Sequence, residues 1–243
     1  MRTVRASLFL FLIPGALGLT CHGQSRPDLD AGRLRMGTFH YRDHIDGSSD
    51  GESAIRIERL AAGTRYAFSN VVSGTLSQQW RTLSLADFTP LSAELTFGSS
   101  ASAAKAFSLS YKAGHVTGFF VPDPRAGDAE KHPVNVAVAL DTVDQRIDWA
   151  AVMSFKEYKP SEQLFFHVYD PKAGNSKVEA TVESHETIHV DAGSFDVFRI
   201  VYRIAKSGWT ERFEVFVHAS TPRFLVKEVF PDGLVSELVS MEP

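Results

Sequence analysis

From Met36 onward the chain alternates apolar and polar residues at a period of two, the spacing of strands that bury one face. "SAIRIER" sets Ile55 and Ile57 against Arg56 and Glu58, and "RYAFSN" puts Tyr66 and Phe68 on one side. "SAELTF" does the same with Ala93, Leu95 and Phe97, and "AFSLSYK" with Phe107, Leu109 and Tyr111. The pattern continues in "QLFFHVYD", "KVEATVESHETIHV", "SFDVFRIVYRI", "TERFEVFVHA", "RFLVKEVF" and "LVSELVSM". Between runs lie short glycine-bearing connections suited to hairpins: "AAG" before Thr64, "KAG" before His115, "KSG" before Trp209 and "PDG" before Leu234. About a dozen strands is more than a flat twisted sheet holds without curling. The expected fold is therefore mainly β, either a strongly curved antiparallel sheet or an open or closed β-barrel.

One segment departs from that period. "DTVDQRIDWAAVMSF", Asp141 to Phe155, carries Val143, Ile147, Ala150 or Ala151, and Ser154 at helical spacing. Thr142 and Gln145 stand in capping-box spacing, and Asp144 lies in the first turn, where a carboxylate favours the helix dipole. The spacing predicts one short helix, about 142–154, whose narrow stripe of small residues packs on the sheet and plugs it. Asp144 and Asp148 then sit one turn apart and repel, while Arg146 lies on another face. Two readings compete. In the structural one Asp144 caps, Arg146 pairs with a strand carboxylate and Trp149 packs. In the functional one Arg146, Asp148 and Trp149 project into a cavity and, with Tyr202 of the apolar row Phe198, Ile200, Tyr202 and Ile204, form the candidate ligand-binding set.

The ends and the composition set the context. "MRTVRASLFLFLIPGALGLTCHGQ" has basic Arg2 and Arg5 and an apolar core from Ala6 to Leu19, shorter than the roughly 20 residues of a spanning helix. Residues 1–23 are read as an export signal, with cleavage after Gly18 or after Gly23. Lipidation at Cys21 is the third option, with Thr20 where a lipobox carries Gly, Ala or Ser. Residues 24–34 read as a polar tether, and 35–243 as a single β-rich domain. Cys21 is the only cysteine, so an intrachain disulfide is excluded. A hydrophobic content of 44% supports a full core, and a net charge of −4 argues against a nucleic-acid partner. No apolar run after the leader is long enough to span a membrane as a helix.

Motifs for chemistry are sparse. His40/His44 and His185/His189 have four-residue spacing, but on strands such residues lie about 13 Å apart, too far to share one ion. "HETIH" has the letters of a zincin motif, yet Thr187, Ile188 and Val190 are β-branched and a turn follows, which is strand rather than helix. There is no Gly-x-Ser-x-Gly elbow and no phosphate loop. The sequence assigns no catalytic residue, no metal ligand and no cofactor. The 18 phenylalanines fall largely on strand faces, filling a core or lining a pocket for a lipid-like ligand.

"AGSFDVFRIVYRIAKSG" followed by "TERFEVFVHASTPRFLVKEVFPDGLVSELVS" resembles the C-terminal half of the bacterial family named domain of unknown function 3108. "DQRIDWAAVMSF" is similar to its helix-like element and "TPLSAELTF" to an earlier strand. The resemblance spans about 36–240 and implies an exported, β-rich envelope protein, periplasmic or at the outer membrane, with no established chemistry. Through curved sheet plus helix the chain also resembles periplasmic lipoprotein carriers, at the level of fold. The leading expectation is a non-enzymatic protein that binds or shields an apolar small molecule, a lipid or a segment of an envelope partner. The alternatives are an envelope assembly factor with a filled core, and a hydrolase using Asp148 and a strand histidine.

Overall fold

The computed structural model describes residues 28–60, 63–74, 77–98, 103–124 and 130–243. The leader, its cleavage points and Cys21 lie outside the described residues. Among the described residues fifteen strands form one sheet. The first eight are β1 (Gly37–Ile45), β2 (Ser48–Arg59), β3 (Arg65–Gly74), β4 (Gln78–Leu85), β5 (Pro90–Phe97), β6 (Ala104–Lys112), β7 (His115–Phe120) and β8 (His132–Ala137). After a three-residue β9 (Thr142–Asp144) the chain turns through a 3-10 segment, Gln145–Ile147, into the helix α1 (Asp148–Met153). Then come β10 (Gln163–Asp170), β11 (Gly174–Val190), β12 (Gly193–Ala205), β13 (Thr210–His218), β14 (Leu225–Val229) and β15 (Val235–Glu242).

The strand order is β8-β7-β6-β5-β4-β3-β2-β1-β15-β14-β13-β12-β11-β10-β9, so the backbone ladder is not closed. The described neighbours pair antiparallel except β9 and β10, which run parallel from His167↔Thr142 to Tyr169↔Asp144. Hairpin turns supply most connections. At Ala113-Gly114 both central residues take positive φ, 49° and 75°, the pattern of a type I′ turn that matches strand twist. At the β14–β15 turn Gly233 has φ 88° and its N–H bonds Phe230 O at 3.1 Å.

Curling brings the two ends of the sheet together through side chains. Tyr111 of β6 donates to Asp144 of β9 at 2.5 Å, and the Arg146 guanidinium lies 4.5 Å from the Phe107 ring centre. Asn175 of β11 donates to Ala137 O of β8 at 3.1 Å. The sheet is thus drawn round without a continuous backbone ladder, and these contacts act as a clasp.

Strand alternation places Phe39 and Tyr41, Ile55 and Ile57, Phe107 and Leu109, and Ile200 and Tyr202 in the interior, all buried. The helix departs from expectation in two ways. It begins at Asp148, because Thr142–Asp144 is taken up as the parallel partner of β10 and Asp144 caps the 3-10 turn instead. It is also buried on every side, from Asp148 to Met153, rather than along one stripe. A helix without a wet face belongs inside the sheet, and α1 is a plug.

The segment expected as a tether is packed from residue 29 onward. Leu29, Ala31 and Leu34 are buried, Ala31 N–H bonds Ala86 O at 2.7 Å, and Leu29 bridges to Phe155. Its three apolar residues are spaced among polar ones, so only their distant partners reveal their burial. Arg33 donates to Ser154 O at 2.7 Å. Arg223 donates to Met153 O, Phe155 O and Lys156 O and stacks 4.0 Å over Tyr158. The carbonyls left unpaired at the end of a helix need such donors. Two arginines from remote segments therefore seal the plugged end.

Candidate functional site

At the other end of the plug, where Asp148 begins α1, lies a cavity of about 390 Å³. Its walls come from β1 to β5 and β12 to β15, and include Ile55, Val72, Trp80, Leu95, Phe213 and Phe230. Arg146, Asp148, Trp149 and Tyr202, the four residues singled out from sequence, all line it. So do Asp43, Asn70, Asp170 and Glu228, which were not singled out.

Arg146 is held from several sides. Its Nε and Nη2 donate to the two oxygens of Asp144 at 2.6 and 2.5 Å, and its Nη1 to Asp170 at 2.7 Å. Asp144 also accepts from Arg146 N–H at 3.0 Å and Tyr111 at 2.5 Å. Burial works against the guanidinium charge, but Asp144 first, then Tyr111 and Asp170, more than offset it, so its pKa is raised. Spacing alone had separated Arg146 from Asp144. The turn at Gln145 folds the side chains together, because neither residue is in the helix. The Trp149 indole donates to Arg146 O at 2.9 Å, which fixes the ring against the turn.

Asp148 sits in different surroundings. It is 4% exposed, and its Oδ1 accepts from the Trp149 N–H at 2.6 Å and contacts the Tyr202 hydroxyl at 3.4 Å. The same hydroxyl lies 3.3 Å from Oε1 of Glu228, which is 5% exposed. A hydroxyl carries one proton and cannot donate to both. The phenol therefore donates to one of them at a time, and the two carboxyls compete for it. Burial pushes Asp148 up to about 7, opposed by the Trp149 N–H, Lys206, Arg146 and Tyr202. Burial, then the Asp148 charge and Asp43, push Glu228 up to about 8, with Tyr202 opposing. Tyr202 is raised well above its ordinary value by burial and the two acids. Asp43 accepts from Ser53 at 3.3 Å and from Ser236.

Glu228 and Asp43 left a sequence signal that went unread. Glu228 shares its alternation row with Phe224, Val226 and Phe230, and Asp43 follows Phe39 and Tyr41. An acid in an apolar row points into the interior. The histidines lie elsewhere. His40 faces Glu242 at 3.4 Å, His44 faces Glu237 at 3.3 Å, His185 faces Asp196 at 3.0 Å, and His189 contacts Ser194 at 2.6 Å. Each has its own partner on a neighbouring strand, and none lines the cavity.

Among curated proteins none matches the chain. Among solved structures, the fold is similar to a β-barrel-like protein of domain of unknown function 1849 from Brucella abortus. The TM-score is 0.56 at 10% identity, with 86% of this chain and 98% of that chain covered. Weaker likenesses are to an assigned exported protein with a YmcC-like fold from Bacteroides fragilis (TM-score 0.39, 10% identity, 88% and 100% covered). Another is to an assigned lipoprotein from Parabacteroides distasonis (TM-score 0.33, 12% identity, 88% and 99% covered). Residues 38–236 match the family model described as a protein of unknown function, DUF3108, and with most of its length inside that match the chain belongs to this family.

Proposed function

We propose that this is an exported cell-envelope protein, without enzymatic activity, that binds a small molecule with an apolar body in the cup above α1. The observation that carries the reading is the cavity of about 390 Å³ itself. It falls within the size range of small-molecule sites, and its lining combines apolar side chains such as Ile55, Trp80, Leu95 and Phe213 with about as many polar ones that can fix orientation. A protein whose sheet served only as a scaffold would fill this space with side chains, as it does beside Ala151 and Met153. The leader-like N-terminus and the family support the envelope setting. A hydrolase reading would need a base beside Asp148, and the partners of Asp148 are the Trp149 N–H and Tyr202.

The test is native mass spectrometry on protein gently purified from the envelope of its host, with tryptophan fluorescence as the solution readout. Trp80 and Trp149 both line the cavity, so an occupant should change their emission. A co-purifying small molecule displaced by Trp80→Ala supports the reading. Bare protein, together with no fluorescence response to any amphiphile, overturns it.

A further inference from the structure

Two acids of the cavity, Asp148 and Glu228, each keep a carboxyl oxygen uncommitted. Asp148 and Glu228 are each more than nine-tenths buried, and each uses one carboxyl oxygen on its recorded partners. Asp148 Oδ2 and Glu228 Oε2 bond no other group among the described residues, and both residues line the cavity. The Asn70 carboxamide oxygen, also at the cavity, is buried and bonds nothing among the described residues. Buried polar groups are nearly always paired, so this oxygen, together with two carboxyls that line the same cavity with one oxygen each uncommitted, calls for a donor. The cations nearby are already engaged. Arg146 is bonded to Asp144 and Asp170, and Lys206 to Gln145 at 2.7 Å and Glu211 at 3.6 Å. The walls are aromatic, with Trp80, Trp149, Tyr202, Phe213 and Phe230, and ring faces attract cations.

We infer that the cup takes a ligand whose apolar body carries a primary ammonium, the ammonium lying against Asp148 and Glu228. This rests on the small-molecule reading above and names the ligand's chemistry. A primary ammonium brings three donors and no acceptor, which suits a site of unpaired acceptors. Bare charges are costly in the cup, so the pair of acids holds a proton there. An incoming cation takes the place of a proton, which passes to solvent. The groups facing the pair are Tyr202 of β12, Lys206 just after it, Arg146 before α1, and Asp43 and Tyr41 of β1, and none of the basic ones bonds the pair directly.

The experiment titrates the full chain with octylammonium, octanol and octanoate at pH 8.0 and pH 5.5, read by tryptophan fluorescence and calorimetry. Octylammonium should bind at least tenfold more tightly than octanol, with octanoate weakest. Its affinity should fall at least fivefold at pH 5.5 and its binding should release protons. Asp148→Asn/Glu228→Gln keeps size and hydrogen bonding while removing the charge, so it should fold and bind octylammonium no better than octanol. Equal binding of octylammonium and octanol to the unmodified chain overturns the ammonium inference and leaves the small-molecule reading standing. Failure of all three to bind overturns both. Unchanged preference in the double variant also overturns the inference, since the selectivity would then lie elsewhere.

Discussion

Asp144 and Asp148 stand four residues apart in one turn-and-helix segment, both buried, and the fold treats them in opposite ways. Asp144 is fully matched: guanidinium on both oxygens, a phenol, a backbone N–H and the hydroxyl of Thr82 at 3.5 Å. It joins β9 to β4 and β6 and so holds the curled sheet round. Asp148 has a single N–H and a hydroxyl that it shares with another acid. The first is a buried ion pair with its lone pairs satisfied, an arrangement whose disruption is expensive. The second is a carboxyl kept near neutrality by its surroundings, and perturbed acids in a cavity are what binding and reaction sites tend to carry. Burial alone does not distinguish structural acids from functional ones. The presence or absence of a committed cation does.

The sharpest way to break the comparison is Arg146→Ala. It leaves Asp144 buried beside Asp170 with no counter-charge, which should cost about 3–5 kcal/mol. For a protein of this size that lowers the melting temperature by roughly 10 °C. A loss of less than about 1 kcal/mol in urea melts would mean that the clasp does not hold the sheet together.

Tyr111→Phe tests the same side more gently. It removes a donor that crosses from β6 to a charged acceptor, at about 1.5–3 kcal/mol, while leaving the ring's edge contact with Tyr169 in place. Hydrogen exchange should accelerate at the edges, β8 and β9, before it does in β12. Uniform acceleration would show that the clasp is not local.

On the Asp148 side the effect has the opposite sign. Asp148 and Glu228 titrate in the folded protein at about 7 and about 8, above the unfolded carboxyl values near 4. Between about pH 4 and 8 the folded state holds protons that the unfolded chain has released. The contribution of these acids to stability is therefore fully present below about pH 4 and is lost as pH rises to about 8. Asp148→Asn should stabilise by on the order of 1–3 kcal/mol at pH 8 and change little at pH 4. Destabilisation by Asp148→Asn at pH 8, in melts followed across that range, would mean that the acid is satisfied like Asp144.

The fold was legible in the chain to the extent that its strands alternate cleanly. Ile55/Ile57, Tyr66/Phe68 and Phe107/Leu109 announce the interior, and the Pro-Asp-Gly hairpin lies where expected. The additional strands are the ones with weak patterns. β8 carries Pro133 and is mostly exposed, and the three residues of β9 are all buried and sit within a stretch of helical spacing. The docking of Leu29, Ala31 and Leu34 depends on Ala86, Phe155 and Arg223, which no local window contains. The site was half legible. Arg146, Asp148, Trp149 and Tyr202 were named together and line one cavity. The division of labour was hidden, because it depends on which cation each acid meets across the sheet. The segment itself suggests mild repulsion, a cap at Asp144 and a strand partner for Arg146, but not which acid holds the cation.

The smallest change sharpens the contrast most. Tyr202→Phe keeps the ring, which stacks on Phe213 at 4.8 Å and 6°, and deletes only the hydroxyl between the two acids. At pH 4, where both carboxyls are protonated, the loss should be about 0.5–1.5 kcal/mol, the net value of a neutral hydrogen bond. As pH rises the variant should lose ground further, because the hydroxyl favours the charged forms of both Asp148 and Glu228. Without it both acids hold their protons to higher pH, and the decline in stability from pH 4 extends above 8. The comparison is with unmodified protein in urea melts at half-unit pH steps. A parallel offset at every pH would place the hydroxyl outside the titrating pair, and Asp148 and Glu228 would then not share a proton through it.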